Sequence, residues 1–253
     1  MSDESIEALR AERDRLASAL ADRSAQLDVI AKEFEQFTQI LSHDLRAPLR
    51  AVEGFAQILV EDYGDKLDAD GKRFVQNLAA GARKAAALIA DLHGFSRLCR
   101  KPFNPGVTDM RRLAEEKTEE LKAEGAAAEF RIDALPEAWG DPDFLSAVLE
   151  ELLRNAIKFT SRQAQPLIEV SGQSESGRTI YSVRDNGMGF DPRYVGRLFG
   201  VFQRLHEDKD IEGRGIGLAT VQRLVHRHGG SVWAESKLNA GATFFFSLPL
   251  RPL

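Results

Sequence analysis

The sequence predicts an α+β protein in which a helical N-terminal part is followed by an α/β sandwich. Three observations predict this fold class. A coiled-coil pattern covers residues 6–41, an alanine-rich amphipathic stretch follows it, and residues 101–106 then interrupt the helical pattern with two prolines and a glycine. The helical part is expected to form an N-terminal coiled coil and an antiparallel hairpin that pairs with a second copy as a dimeric four-helix bundle.

The coiled coil is predicted from residues that recur at alternating spacings of three and four. All of them except two arginines are apolar, and the residues between them are mostly charged or small. A helix with one narrow apolar stripe must bury that stripe against another helix, so the pattern predicts a homodimer. The seam positions are Ile6, Leu9, Arg13, Leu16, Leu20, Arg23, Leu27, Ile30, Phe34, Phe37 and Leu41.

The hairpin is predicted from two long amphipathic stretches joined at about 61–68. The seam continues beyond Leu45 and Leu49, and Pro48 is expected to bend this first helix or to break its hydrogen bonding locally. A second helix is expected over 69–99. Its apolar side holds Phe74, Leu78, Leu88, Leu92 and Phe95.

The sandwich is predicted from the helix and strand patterns that follow the proline-containing stretch. Asp141 is the expected N-cap of a helix that ends near residue 160. Two further helices are expected, one from Thr108 to about 124 and one over 215–228, and the glycine-containing segment 187–213 is expected to form a lid. Strands are expected at 128–133, 166–173, 179–185, 230–235 and 242–249. The predicted domains are a coiled coil (1–34), a dimerisation domain (35–100), a linker (101–106) and the sandwich (107–253).

Composition restricts the classes of function. The chain has 253 residues, 43% of them hydrophobic, and a formal net charge of −5 without a basic block, which argues against nucleic acid as a partner. Cys99 is the only cysteine, which suits a reducing compartment. There is no apolar run long enough to span a bilayer and no secretory signal, so a cytoplasmic protein is expected, without insertion into a membrane.

The first candidate site is the segment Ser42 to Leu49. Leu41 and Leu45 flank His43 by two positions each, which is about 200° of helix, so the imidazole should point away from the bundle core. An exposed imidazole beside Asp44 is a plausible nucleophile near pH 7. Ser42, His43 and Asp44 are not expected to form a hydrolase triad, because consecutive helical residues diverge by about 100°. A lone histidine on a helix is more often an ordinary surface residue.

Two further motifs suit a phosphorylated ligand. Glu151, Asn155 and Lys158 share one helix face and could supply oxygen to Mg²⁺ and an ammonium to phosphate, although each motif alone also fits a solvated charged face. Glycines at 213, 215 and 217 open a predicted helix and would expose backbone N–H groups to an anion.

A third motif suits an adenine base. Asp185 ends a predicted strand and is followed by Gly187 and Gly189. A carboxylate fixed there can accept a hydrogen bond from an exocyclic amine, and the glycines would let the backbone pass close to the ring. Taken alone, the same residues also fit an ordinary turn.

In this order and spacing the motifs resemble those of HisKA-type sensor histidine kinases, in which a dimerisation and phosphotransfer domain precedes a GHKL ATP-binding domain. The resemblance covers roughly residues 35–250. This segment is most similar to the transmitter modules that follow phytochrome or PAS sensors. It implies ATP and Mg²⁺ as cofactors, autophosphorylation on His43, and transfer to an aspartate of a response-regulator receiver domain. Input is then expected from an upstream sensor through the coiled coil.

The resemblance also assigns roles to individual residues. Asp44 is implied as the general base beside His43, and Asn155 with Glu151 as the metal-binding pair. Phe199 and Phe202 correspond to the lid motif. The implied ATP-binding residues are Asn155, Lys158, Asp185, Gly187, Gly189, Phe202, Gly213, Arg214, Gly215, Gly217 and Thr243.

One departure from the family leaves a second function open. Glu151 stands where such kinases commonly have Asn, whereas the related gyrase, Hsp90 and MutL ATPases use Glu there to activate water. Glu151 is therefore a candidate catalytic base for ATP hydrolysis, and supporting Mg²⁺ or pairing with a cation is the alternative role. A GHKL ATPase in which His43 is incidental, or a dimeric scaffold without catalysis, remain alternatives to the kinase.

Overall fold

The computed structural model describes residues 3–203 and 215–250, and the chain consists of two compact units with their boundary between Arg100 and Lys101. The first unit is helical and the second contains the sheet. This order of a helical region followed by an α/β sheet domain confirms the predicted fold class. No helix among the described residues is long and apolar enough to cross a membrane.

The first unit is the predicted hairpin. Helix α1 covers Asp3–Tyr63, a 3₁₀ turn follows at Gly64–Lys66, and α2 covers Ala69–Arg100. The α-helix is not interrupted at Pro48, although proline has no backbone N–H and so cannot donate the hydrogen bond expected at that position of the helix. The inside of the hairpin is lined with small buried side chains: Thr38, Ser42, Ala56, Val75, Ala79, Ala82 and Ser96.

The second unit contains a five-stranded sheet in the order β2-β4-β5-β7-β6. Strand β2 pairs parallel with β4, and the other neighbours are antiparallel. A separate two-stranded ribbon joins β1 to β3. The helices are α3 (Met110–Ala123), α4 (Pro142–Thr160) and α5 (Gly217–Arg227). The strands are β1 (Gly106–Thr108), β2 (Glu129–Ile132), β3 (Ala138–Gly140), β4 (Leu167–Glu175), β5 (Arg178–Asp185), β6 (Ser231–Ser236) and β7 (Ala242–Pro249).

The core of this unit lies between α4 and the inward face of the sheet. Side chains on α4 are buried at helical spacing, whereas in β5 and β7 the buried side chains alternate along the strand. The helical spacing on α4 and the alternation in β5 and β7 therefore both place the buried side chains between the helix and the sheet. The largest fully buried side chains on these elements are Phe144, Leu145, Leu149, Leu152, Leu153, Ile168, Tyr181, Phe246 and Leu248, and Met110 of α3 and Leu224 of α5 are buried to the same extent.

The start of α4 agrees with the sequence prediction, and the start of α3 does not. Asp141 caps α4 as predicted, since its carboxylate accepts from the backbone N–H groups of Asp143 and Phe144 at 3.1 and 3.3 Å. The predicted start of a helix at Thr108 is wrong. Thr108 ends β1, and the next residue, Asp109, caps α3.

Candidate active site

The candidate phosphoacceptor lies on α1. The side chain of His43 is 86% exposed, as predicted, and its Nδ1 lies 3.0 Å from Oδ1 of Asp44. The divergence of consecutive helical side chains therefore does not prevent this pairing, since the short Asp44 side chain reaches its neighbour. Ser42 does point elsewhere: its hydroxyl donates to the carbonyl of Thr38 at 2.6 Å inside the hairpin. The three residues form no triad, as expected.

The pairing of His43 with Asp44 determines which ring nitrogen can react. When Nδ1 carries the hydrogen and donates it to the carboxylate, the lone pair is on Nε2. Because the side chain is so exposed, Nε2 is accessible to a reactant from solvent. A neutral imidazole held in one tautomer can act as a nucleophile.

In the second unit, α4 carries three of the predicted residues. Glu151, Asn155 and Lys158 follow one another at intervals of about one turn, and all three side chains are half-buried. The ammonium of Lys158 lies 4.6 Å from the ring centroid of Phe159. One helix face thus presents a carboxylate, an amide and an ammonium at the edge of the core.

Asp185 ends β5 and is almost fully buried, with 3% of its surface exposed. Its Oδ1 accepts a hydrogen bond from the N–H of Gly187 at 2.8 Å, and the N–H of Ala242 is a second backbone donor. Burial nevertheless raises the pKa of the carboxyl to about 6, because those two donors compensate only part of the lost hydration. A buried acceptor of this kind can recognise a ligand amine.

Glycines after Asp185 allow the following turn to pack closely on the protein itself. A Cβ at Gly187 would lie closer than 3.0 Å to the carbonyl of Phe159, the residue before the end of α4. Gly189 has a φ of 60°, and a Cβ there would lie equally close to the carbonyl of Lys237. The glycines are therefore required by backbone packing between α4, this turn and the β6–β7 connection.

The N-terminus of α5 faces the α4 residues. Its N-cap is Ile216, whose side chain has no hydrogen-bond acceptor, so the first N–H groups of α5 are not capped by that residue. A Cβ at Gly217 would collide with Oε2 of Glu151, which places that carboxylate against the first residue of α5. Gly215 has a φ of 73° and accepts through its carbonyl from the N–H of Phe202 at 2.7 Å.

Not all predicted residues meet at this site. Phe202, with a φ of 60°, lies in a turn beside Gly215, whereas Gly213 and Arg214 lie outside the described residues. Thr243 pairs with Arg184, on the face of the sheet opposite to Asp185. The structure therefore does not bring Thr243 together with Asp185.

Ala242 is the neighbour of Asp185 that the motif reading missed. The two residues are paired in register, and both are buried. The alternation of β7 contains the signal that could have found it. Ala242 shares the parity of the buried Phe244 and Phe246, whereas Thr243 has the opposite parity.

Two protein families match the chain over different segments. The phosphoacceptor domain described as His Kinase A matches residues 35–99. The family described as histidine kinase-, DNA gyrase B- and HSP90-like ATPase matches residues 140–252. The first segment contains His43, and the second contains α4, Asp185 and α5. Only residues 1–34, 100–139 and 253 lie outside the two matches.

Named relatives cover most of this chain. Cyanobacterial phytochrome A of a Nostoc species is 33% identical over 238 residues, which is 93% of this chain and 31% of the phytochrome. The methanogenesis regulatory histidine kinase FilI of Methanothrix harundinacea is 32% identical over 95% of this chain and 27% of its own length. The chain spans about a third of the length of the phytochromes and the phytochrome-like protein that it matches.

The fold agrees with a solved structure. Full-length ShkA, crystallised with AMPPNP, is 29% identical with a TM-score of 0.58, over 87% of this chain and 48% of that one. The matched phosphoacceptor segment, the matched ATPase segment and these relatives together identify the family. This chain belongs to the HisKA-type sensor histidine kinases.

Proposed function

We propose that this chain binds ATP with Mg²⁺ in its second unit, transfers the γ-phosphate to Nε2 of its own His43, and then passes it to an aspartate of a response-regulator receiver domain. The observation that carries the proposal is the arrangement around α4. A buried amine acceptor, Asp185, adjoins the Phe159 end of the helix, and the start of α5, which its own N-cap residue Ile216 does not cap, adjoins Glu151. The interval between Glu151 and Phe159 is about 12 Å at 1.5 Å per residue.

That interval suits an extended ligand with a base at one end and anionic groups at the other. Asp185 would accept a hydrogen bond from the exocyclic amine of adenine, which replaces hydration lost on burial. The first turn of α5, with Gly215 and Gly217, would bind phosphate through backbone N–H groups and the helix dipole. Gly213 and Arg214 keep their predicted roles around the phosphates, and Phe202 keeps its predicted role in the lid motif. A role for Thr243 has no support in the sheet register.

The residues on α4 fit a magnesium ion that binds chiefly through ATP. Mg²⁺ in such sites takes one or two protein oxygens and keeps phosphate and water as its other ligands. Asn155 and Glu151 would supply those two oxygens, one turn apart on the same face. Lys158 would meet phosphate. The described residues contain no cluster of three or more His, Cys, Asp or Glu side chains that would hold a metal without the nucleotide.

The phosphoryl step joins His43 to the γ-phosphate. The Nε2 lone pair forms the new P–N bond while the bond to the β-phosphate oxygen breaks, and ADP leaves. Asp44 accepts the Nδ1 hydrogen bond and stabilises the imidazolium character that develops on the ring. Charge stabilisation and positioning supply most of the catalysis in phosphoryl transfer.

Dimerisation through the helical unit is part of the proposal. Many seam residues of α1 remain exposed in the single chain, although a stripe of that size is normally covered. A second copy would cover it as a coiled coil and four-helix bundle, and an upstream sensor would act through residues 1–34 in the cytoplasm. The exposed seam members are Leu16, Leu20, Ile30, Phe34, Phe37, Leu45, Val52, Ile58 and Leu59.

The test is incubation of the full chain with γ-labelled ATP and Mg²⁺, beside His43→Gln. We expect a label that is stable to alkali, labile to acid and absent from the variant. Label that persists in His43→Gln, or no label at all, would contradict the proposal. Asp44→Asn is expected to retain the label at a reduced rate, because an amide oxygen can still accept from Nδ1.

Hydrolysis of ATP is a second candidate activity. It is favoured by Glu151, whose carboxylate lies against the start of α5 where the phosphates would bind. A carboxylate in that position can take a proton from an attacking water molecule. Free phosphate released without labelled protein would identify this activity, and labelled His43 would identify the kinase.

A further inference from the structure

The stretch 101–106, predicted as a linker, is attached to the second unit. Phe103 is half-buried, and its ring lies edge-on to His228, with centroids 4.8 Å apart, and parallel to Phe144 at 6.1 Å. The guanidinium of Arg227 lies 5.7 Å from the Phe103 ring and 5.1 Å from that of Phe144. Phe103 is thus enclosed by residues of α4 and of the end of α5.

A hydrogen bond and an ion pair to the start of α4 hold the same stretch. The N–H of Asn104 donates to Oδ2 of Asp141 at 2.8 Å, and the other oxygen of that carboxylate caps α4. Lys101 pairs with Asp143 in the first turn of α4. The buried Asp141 carboxylate accepts hydrogen bonds from both the first turn of α4 and the linker. If the linker detached, the carboxylate would lose its hydrogen bond to Asn104.

His228 completes this attachment as a neutral ring. Its Nε2 accepts from the N–H of Asp141 at 3.0 Å, so its Nδ1 carries the hydrogen and donates to the carbonyl of Leu224 at 2.7 Å. Burial lowers the pKa of His228, which favours that neutral form. One imidazole therefore fixes Asp141 and forms one wall around Phe103.

We propose that Phe103 is a positioning residue for phosphoryl transfer, because it anchors the linker to the ATP-binding unit and confines the joint between the units to the two residues after Arg100. This inference rests on the proposed kinase function. Helix α2 ends at Arg100, so only Lys101 and Pro102 separate it from the anchored ring. Pro102 has a fixed φ, and a residue before proline disfavours the α conformation, so the chain between Arg100 and Phe103 has few accessible conformations.

The expected effect follows from the length of free chain. Without the anchor, the free stretch grows from two residues to the five that precede β1 at Gly106. Loop-closure entropy then lowers the effective concentration of the ATP-binding unit at His43 by about three- to fivefold. The ATP site itself should be unaffected.

The experiment compares Phe103→Ala with wild type and with Val107→Ala, a nearby residue of β1 that is 68% exposed. Three quantities are measured on the full chain: hydrogen exchange at the Asn104 amide, affinity for Mg-ATP, and the rate of His43 labelling at saturating ATP. In Phe103→Ala we expect exchange to rise at least tenfold, affinity to stay within twofold, and labelling to slow by about three- to fivefold. Val107→Ala should match wild type in all three.

A second variant lengthens the joint and leaves the anchor in place. Insertion of Gly-Ser-Gly between Arg100 and Lys101 should slow labelling to a similar extent while exchange at Asn104 stays slow, and it tests the idea even if Phe103→Ala fails to fold. Fast exchange at Asn104 in wild type would overturn the anchor. Labelling by Phe103→Ala at or above the wild-type rate would overturn positioning. If wild type takes no label, the kinase proposal fails, and the exchange data still decide whether the anchor exists.

Discussion

Asp185 should impose an unusual dependence of folding stability on pH. Its carboxyl has a pKa raised to about 6 by burial, against 3.8 as the ordinary value. Between these two pH values the folded chain retains a proton that the unfolded chain has released. Stability therefore falls as pH rises through this window, and the loss is complete above pH 6.

The size of the effect follows from the pKa difference. A difference of about two units corresponds to about 3 kcal/mol of unfolding free energy, at 1.36 kcal/mol per unit. Since the side chain is only 3% exposed, no reduction for solvent screening is needed. Roughly 1 to 2 kcal/mol of the total should be lost between pH 5 and pH 7.5. Asp185→Asn has no charge to bury and should lack this dependence.

Urea denaturation at pH 5 and pH 7.5, without nucleotide, measures the difference in unfolding free energy between wild type and Asp185→Asn. We expect that difference to shift by roughly 1 to 2 kcal/mol in favour of the variant at the higher pH. Other titrating groups are shared and cancel, including His228, whose lowered pKa acts in the opposite direction. A difference that does not change with pH would refute the reasoning. Saturating Mg-ATP should reduce the shift, because an amine donor stabilises the carboxylate.

Two further predictions concern α4 and the turn after Asp185. Glu151→Gln should lower the release of free phosphate from ATP by about tenfold or more while His43 still takes the label, with Glu150→Gln as control; an unchanged release rate would exclude Glu151 as the base. Gly189→Ala should cost about 2–4 kcal/mol in urea denaturation, because its left-handed φ is combined with a clash against Lys237. Gly177→Ala should cost only about 1 kcal/mol, since its φ of 86° is left-handed but nothing lies within 4 Å; equal costs would refute the role of the clash.

Elements marked by local chemistry could be predicted from the sequence. The cap of α4 was readable because Asp141 precedes Pro142 at a helix start, and both chemical preferences act within one turn. Strands β1 and β3 were not predicted. Each has three residues, too few to show alternation, and β1 begins at Gly106, the last residue of the stretch with two prolines. Their pairing is a tertiary property, which a local pattern does not encode.

The residues of the candidate site could be predicted from the sequence more reliably than the directions in which their side chains point. His43 is exposed as its position relative to Leu41 and Leu45 predicts, since helical geometry fixes that angle. Thr243 is implied by the family resemblance alone, which does not take account of the strand parity that turns it away from Asp185. The motif identifies the segment of β7 that lies near the site. The register of β5 and β7 determines which of its two neighbouring residues, Ala242 or Thr243, faces Asp185.

Helix α4 connects the linker anchor with the proposed ATP site. Its N-cap Asp141 and its first-turn residue Phe144 lie beside the linker, and its last turns carry Asn155 and Lys158. Side chains are buried along the whole length between them, so α4 cannot tilt at one end without opening the core. A rigid α4 keeps the proposed ATP site at a constant distance from the Phe103 contact. It does not change the affinity of that site for ATP. For this reason loss of the Phe103 contact should change how often ATP meets His43, and leave unchanged how tightly ATP is bound.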